Sequence, residues 1–408
     1  MPLRHWLQLS LTRGLGPILT RRLIEAAGSA EAACAAGAVL LREVEGFGRV
    51  KADGIASSLR ESAGLVNAEL DRAARAGAAV LCPDDEAYPL LLRTIPDPPL
   101  VLYVRGAFEP RDLHAVAIVG SRKCSVYGRE QAERFGSLLA GAGVSVISGG
   151  ARGIDSSAHR GALGRPGGRT VAVLGSGVDV AYPPENKGLF AAIAQNGCGA
   201  VVSEYPMGSP PVAENFPRRN RIVSGMSRGV IVIEADERSG ALITARQACD
   251  DHGRPVFAVP GRVDNPLSRG PHKLIREGAV LCAGIEDVMD NLGPLPDGAY
   301  LPDVVVQEMR AEGGGFGVAK PQTAGLFDPE ATARPAPSSS PSPAPAQGPP
   351  LSARQQSIVG AMGLDACGVD VIVERTNLPP HEVLQELTML SLRAVVKRVD
   401  GQTFVVRK

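Results

Sequence analysis

The residues best suited to meet an anion are gathered in a few glycine-bearing turns. Gly120-Ser121-Arg122-Lys123 follows the apolar run Ala115–Val119 and precedes a segment of helical length, Gly128–Ala142. A glycine-serine turn at such a junction offers backbone N–H groups and a helix dipole to a negative ligand, and Arg122 and Lys123 add fixed charge. In Ser148-Gly149-Gly150-Ala151-Arg152-Gly153-Ile154-Asp155, three glycines in five positions open the backbone to close approach. Asp155 is expected to cap the helix that carries His159 and Arg160, and the lone His159 reads as hydrogen-bonded structure rather than an acid–base group. Tyr182-Pro183-Pro184-Glu185-Asn186-Lys187 is a rigid loop presenting an amide and an ammonium, unless Lys187 is a plain surface lysine. The densest basic patch is Asn215-Phe216-Pro217-Arg218-Arg219-Asn220-Arg221. Arginines beside two amides fit phosphates and base edges, and Phe216 offers a stacking surface worth about 1–3 kcal/mol per base. The competing reading puts Phe216 in the core and pairs some of these arginines with Glu204, Glu214 or Glu234. A helix can do both, burying one face and exposing the other.

Spacing excludes several chemistries. The first turn lacks G-x-G-x-x-G; Gly175-Ser176-Gly177 begins such a fingerprint, but Val180 stands where its third glycine belongs. No G-x-x-x-x-G-K-[ST] occurs, so no nucleotide cofactor is expected. Gly225-Met226-Ser227-Arg228-Gly229 spells a hydrolase nucleophile elbow, yet it ends a helix and precedes a strand, the reverse of the order an elbow needs. The Ser-Gly-Gly turn is similar to that of LOG-type nucleotide phosphoribohydrolases. Their P-G-G-x-G-T-x-x-E signature is replaced here by Arg238–Arg246, without the glutamate that glycosidic cleavage requires. The seven cysteines (34, 82, 124, 198, 249, 282, 367) form no C-x-x-C pair, which argues for reduced thiols in a cytoplasm and against disulfides or zinc. Lysine plus arginine equals aspartate plus glutamate at 43 each, so attraction for nucleic acid must come from a local basic surface. No apolar run approaches the roughly 20 residues that span a bilayer, and the first residues carry no signal-peptide pattern.

The elements that must position these turns are legible. Ala115–Val119, Val144–Ser148, Thr170–Leu174, Ala200–Ser203, Val230–Glu234 and Val256–Val259 read as strands, alternating with helical segments such as Gly128–Ala142, Asn186–Asn196 and Ala241–His252. That alternation predicts an α/β fold with a parallel sheet covered on both faces, and ligands of such sheets bind at the carboxyl ends of the strands. Residues 1–75 read as helical. There, Leu11-Thr12-Arg13-Gly14-Leu15-Gly16 and Val44-Glu45-Gly46-Phe47-Gly48 either resemble phosphate-approaching helix-hairpin-helix motifs or simply make turns in a bundle. Residues 76–292 hold the sheet. Residues 293–350, ending in the Pro/Ala/Ser-rich stretch Pro335–Pro350, read as a disordered linker. Residues 351–408 read as a winged helix: helices at Ser352–Met362 and Pro380–Leu392, then strands Ala394–Val399 and Gln402–Val406 around Asp400-Gly401.

The ordered string of turns resembles the DprA/Smf (DNA-processing protein A) family. Its members are Val119-Gly120-Ser121-Arg122, the Ser148–Asp155 turn, Tyr182-Pro183, Ser203-Glu204-Tyr205-Pro206, Asn215–Ile222, Arg238-Ser239-Gly240 and Val259-Pro260-Gly261. The resemblance covers about 80–292. It implies an extended Rossmann-like core between a SAM/helix-hairpin-helix-like domain and a winged helix, with no catalytic role. It further implies sequence-independent binding of single-stranded DNA, loading of the RecA recombinase during natural transformation, and a homodimer formed through the Rossmann domain. By position, Arg122 and Lys187 match the family's DNA-contacting basic residues. Gly120, Ser121, Gly149, Gly150, Arg152, Asn215, Phe216, Arg218, Arg219, Asn220 and Arg221 would complete the groove. The long Pro/Ala linker departs from the family's pattern, and the winged helix, with few basic residues on its third helix, reads as binding either protein or nothing known.

Overall fold

A computed structural model describes residues 2–195 and 197–292, and parts of the C-terminal region: 353–362, 367–376, 378–379, 383, 387, 390, 396–398 and 403–406. The expected linker, 293–350, lies outside the described residues. The chain divides into two compact units, Met1–Lys320 and Pro321–Lys408.

The first unit opens with six helices: α1 (Pro2–Leu11), α2 (Pro17–Ala27), α3 (Ala30–Cys34), α4 (Ala38–Glu43), α5 (Arg49–Ala63) and α6 (Val66–Arg75). Their apolar faces close on Leu9, Leu23, Leu41, Phe47, Ile55 and Leu59. Gly14, at φ +80°, lets the chain reverse between α1 and α2 in a backbone region that other residues rarely adopt. A second cluster ties this bundle to the sheet, packing Leu7, Val66 and Ala73 against Val101, Tyr103, Val178 and Met207. At its centre the buried Glu69 accepts hydrogen bonds from the Tyr103 hydroxyl at 2.9 Å and the Met207 N–H at 2.7 Å.

Nine strands follow: β1 (Ala79–Leu81), β2 (Leu102–Gly106), β3 (Ala115–Val119), β4 (Ser145–Ser148), β5 (Thr170–Val173), β6 (Gly199–Ser203), β7 (Val230–Val232), β8 (Val256–Ala258) and β9 (Val280–Leu281). They form one sheet in the order β1-β2-β6-β5-β4-β3-β7-β8-β9. Pairing is parallel from β6 through β9, and β1 and β2 add an antiparallel margin beyond β6. All six expected strands are present; β1, β2 and β9 lie outside that expectation. The alternation of side chains divides β3 between two cores. Ala115, Ala117 and Val119 face one core with Ile222 and Val223, while Val116 and Ile118 face the other with Phe135, Leu139 and Ala158.

Helices α7 (Leu90–Arg93), α8 (Val126–Gly141), α9 (Ile154–Leu163), α10 (Lys187–Ile193), α11 (Asn215–Gly225), α12 (Gly240–Arg246), α13 (Arg269–Arg276) and α14 (Ile285–Met289) complete this unit. A π-helical turn, Gln247–Asp251, extends α12. The strand order reverses direction at β3, whose neighbours are β4 and β7. The carboxyl ends of β3 and β7 are therefore the place where an open parallel sheet parts to make a crevice.

The second unit contains α15 (Ala353–Met362), β10 (Cys367–Gly368), α16 (Val369–Thr376), β11 (Val396–Arg398) and β12 (Thr403–Val406), with its strands in the order β10-β12-β11. Val396 pairs with Val406 and Arg398 with Phe404, an antiparallel register consistent with a hairpin. Its turn residues, Asp400 and Gly401, lie outside the described residues, as does most of 380–392. Val383, Leu387 and Leu390 are described and buried, at helical spacing, beside Ile358 and Ile372.

Candidate nucleic-acid interface

At the carboxyl ends of β3, β4 and β7 a cleft of about 760 Å³ opens, walled by the Gly120–Lys123 turn, Ala151, Tyr182, α11 and α12. Glu234, just past β7, braces one side. Its carboxylate accepts the Ser125 N–H and the Ser125 hydroxyl, each at 2.7 Å, and the Asn265 side-chain amide at 3.2 Å. Its carbonyl accepts the Ser121 N–H at 2.6 Å. The sequence singled out Glu234 only as a partner for an arginine; it holds the first turn instead. A charged residue closing an otherwise apolar strand was the available signal.

This bracing changes what the first turn offers. The Ser121 N–H goes to Glu234, and the Ser121 hydroxyl accepts the Lys123 N–H at 3.1 Å. The positive end of α8 already faces the Glu234 carboxylate, and Ser125 caps it through the Gly128 N–H at 3.1 Å. The dipole expected to meet an anion is thus answered within the protein. What reaches the cleft from this turn are the exposed side chains of Arg122 and Lys123. The two glycine turns touch where Gly153, at φ +74°, passes Ser121; a Cβ on Gly153 would stand 2.4 Å from the Ser121 carbonyl oxygen. No side chain fits there.

Phe216 sits half-buried at the first turn of α11. The Arg122 guanidinium lies 4.9 Å from its ring centroid, and the Tyr182 ring lies 5.5 Å away, tilted by 44°. Gly175 lies against it, where a Cβ would approach the ring to 2.9 Å, so a side chain at that position would displace Phe216. Arg218 is exposed on the same turn.

The other two arginines of the basic patch face inward. Arg219 is 4% exposed and donates through Nη1 to the carbonyls of Gly149 and Val173, joining the ends of β4 and β5. Desolvation lowers its pKa to about 10, opposed by the attraction of Asp155, so the guanidinium stays charged at neutral pH. Arg221 bridges Asp97 at 2.9 Å and Glu204 at 2.6 Å. Burial pushes the Glu204 carboxyl up, and the Arg221 charge works against that rise. Of the proposed competing pairings, the Glu204 one is therefore formed. Arg219 was detectable in sequence, since with Ile222, Val223 and Met226 it completes an i, i+3, i+4, i+7 apolar stripe. Arg221 lies off that stripe, and only the loops bearing Asp97 and Glu204 bury it.

The remaining candidates hold the cleft in shape. Asn215 donates to the Gly175 carbonyl at 3.0 Å and Asn220 to that of Gly240 at 3.3 Å. Asn186, expected to be presented, is buried and donates to the Gly150 carbonyl at 3.0 Å. Gly149 and Gly150 are buried, Arg152 is exposed and paired with Glu185, and Lys187 is exposed at the start of α10, outside the cleft wall. Asp155 does not cap α9, whose N-cap is Gly153; it accepts the Ala151 N–H at 3.2 Å, and burial raises its pKa. His159 is fully buried, bonded through Nδ1 to the Thr170 hydroxyl at 2.6 Å, and burial depresses its pKa to about 3. Among the described residues no group of three His, Cys, Asp or Glu side chains could hold a metal ion, and no helix is long and apolar enough to cross a membrane.

Comparison with known proteins gives a consistent result. A sequence profile described as DNA recombination-mediator protein A matches residues 79–293, and one for the DprA winged helix domain matches residues 342–402. The chain is 40% identical to Protein Smf of Synechocystis sp. over 296 residues, 72% of this chain and 73% of that one. It is 39% identical to Protein Smf of Escherichia coli over 319 residues, 78% and 75% of the two chains. The X-ray structure of DNA processing protein A from Streptococcus pneumoniae superposes with a TM-score of 0.60 at 34% identity, covering 71% of this chain and 96% of that one.

Proposed function

The chain belongs to the DNA recombination-mediator protein A (DprA/Smf) family, and from that premise we propose that it binds single-stranded DNA without sequence preference and passes it to a RecA-type recombinase. The observation that carries the DNA-binding reading is the Arg122–Phe216–Tyr182 cluster in the wall of the cleft, with Lys123 exposed beside it and Arg218 exposed on the next positions of α11. An aromatic face beside guanidinium and ammonium groups suits an unpaired base and its phosphates together, and every base has a face that can stack. A duplex keeps its base faces hidden, so the same groups would give it charge attraction alone.

In this reading Arg122, Lys123, Arg218 and Lys187 meet phosphates, and Phe216 stacks a base. Gly120, Ser121, Gly149, Gly150, Arg152, Asn215, Arg219, Asn220 and Arg221 line or hold the groove. Two copies pair through the sheet-bearing domain, residues 76–292, so that two clefts share one longer strand. The recombinase step draws its support from the family's description as recombination mediators, and the cytoplasmic setting from the unpaired, scattered cysteines.

The alternative is a nucleotide-processing enzyme at the same strand ends. His159 is fully buried and lines no part of the cleft, which speaks against it as the acid–base group, whereas Asp155 does reach the cleft wall. Incubation of nucleotides with pure protein followed by thin-layer separation tests it, and a cleaved product would displace the binding reading. For the main proposal the experiment is filter binding to single- and double-stranded DNA across a salt series. The expected result is strong preference for the single strand, with a slope of about −0.7 per phosphate contacted. Equal affinity for duplex, or binding indifferent to salt, would overturn it.

A further inference from the structure

Behind the ridge made by α11 and α12 lies a second cleft, of about 730 Å³, whose far wall is the α1–α2 hairpin. Pro217 belongs to the walls of both clefts, and Arg218 stands on the rim of the second. We propose that a single strand leaving the first cleft crosses Pro217 and Arg218 and lays a further stretch of its phosphodiester backbone against the hairpin Arg13–Gly16. This rests on the main-cleft reading above and extends it to the N-terminal helices.

Three observations converge. First, Gly16 is not required by the fold. Its backbone is ordinary (φ −106°, ψ 173°), and a Cβ there would meet nothing within 4 Å. The residue caps the eleven-residue helix α2 with no side chain, and the first turn of α2 carries no acidic residue. Its effect is to leave bare backbone at the positive end of a helix that faces a cavity. The contrast with α8 is direct, because there Glu234 occupies that place.

Second, Arg221, which lines this cleft and is 7% exposed, holds Asp97 with Nε and Glu204 with Nη2, while its Nη1 is buried without a hydrogen-bond partner. A single guanidinium thus bridges both carboxylates of the cleft wall, and its Nη1 is left without an acceptor. Third, Arg13 and Arg218 are both exposed, at the hairpin and on the ridge. In the wall itself Arg218 and Arg221 balance Asp97 and Glu204, and the exposed Arg13, next to Gly14 in the chain, adds a further cation at the hairpin. Continuity with the first cleft through Pro217 makes the same strand the occupant.

The test uses the full chain with oligo-dT of about 6 and about 16 nucleotides, within the span of known single-strand site sizes. Gly16→Asp puts a carboxylate into the second cleft while supplying a favoured N-cap, so its melting temperature should equal or exceed wild type. Its affinity for the longer oligonucleotide should fall about fivefold or more, with binding of the shorter one retained. Arg13→Ala should lower the salt slope for the longer oligonucleotide by about 0.7, one phosphate contact, and leave that for the shorter unchanged. A folded Gly16→Asp protein that binds the longer oligonucleotide as wild type does would overturn the inference. Failure of wild type to bind either oligonucleotide would instead sink the main-cleft reading, and this one with it.

Discussion

Two cation-bearing segments meet at the first cleft, the Gly120–Lys123 turn and the opening turns of α11, and they use the same chemical groups for opposite ends. In the turn, the backbone polar groups are consumed by Glu234 and Ser121, and the charges are left outside. Along α11, two of three arginines are drawn in, Arg219 to the carbonyls that end β4 and β5 and Arg221 to Asp97 and Glu204. Arginine suits both tasks because its planar fork can bridge two acceptors when buried and remains a hydrogen-bonding cation when exposed. A dense basic stretch is therefore not by itself a binding surface. Here one buried guanidinium shapes the floor of the cleft, and the exposed ones at its rim are free to meet a ligand.

The comparison predicts that buried cations act on stability and exposed ones on affinity. Its largest expected effect is on Arg221→Ala, which leaves Glu204 and Asp97 facing each other without their cation. Urea unfolding should show a loss of about 3 kcal/mol, the lower end for breaking a buried pair because Asp97 is partly exposed. A variant as stable as wild type would erase the distinction.

Next comes His159, which belongs to the same buried set. Its folded pKa, about 3, lies below the ordinary histidine value, so the unfolded chain binds a proton that the folded chain refuses. Its contribution is complete above about pH 6.5 and declines as pH falls toward that folded value; over two pH units it amounts to about 2 kcal/mol. Unfolding of His159→Gln, compared with wild type from pH 7 to 4.5, should show the shallower dependence. Parallel curves would mean that His159 is not the buried neutral group described.

On the exposed side, Phe216→Ala should cost about 1–2 kcal/mol in single-strand affinity through the lost stack. Arg122→Ala should weaken binding about tenfold and reduce the salt slope by about 0.7, with the melting temperature nearly unchanged. If Arg122→Ala destabilised the fold and left affinity intact, the turn and the helix would have exchanged roles. The smallest effect is expected at Lys187, outside the cleft wall: about a twofold loss for Lys187→Ala, measured at low salt where such a contact is strongest.

The parallel core was legible in sequence because its strands are buried on both faces, and burial of that kind demands the continuous Val/Ile runs seen at Ala115–Val119 and Val230–Val232. The margins were not. β2 carries a comparable apolar run, but its place beyond β6 follows from antiparallel pairing with a strand about a hundred residues later in the chain. Residue type and spacing likewise determined where the ligand edge would be, since the glycine turns must fall at strand ends. They also left Arg219 visible within an apolar stripe. Which cations face the solvent was decided only in three dimensions. Arg221 is buried by Asp97 and Glu204, 124 and 17 positions away in the chain, and the α8 dipole is answered by Glu234, 109 positions from Ser125. A local pattern encodes what a segment can bury; it cannot encode the distant charge that folding brings against it.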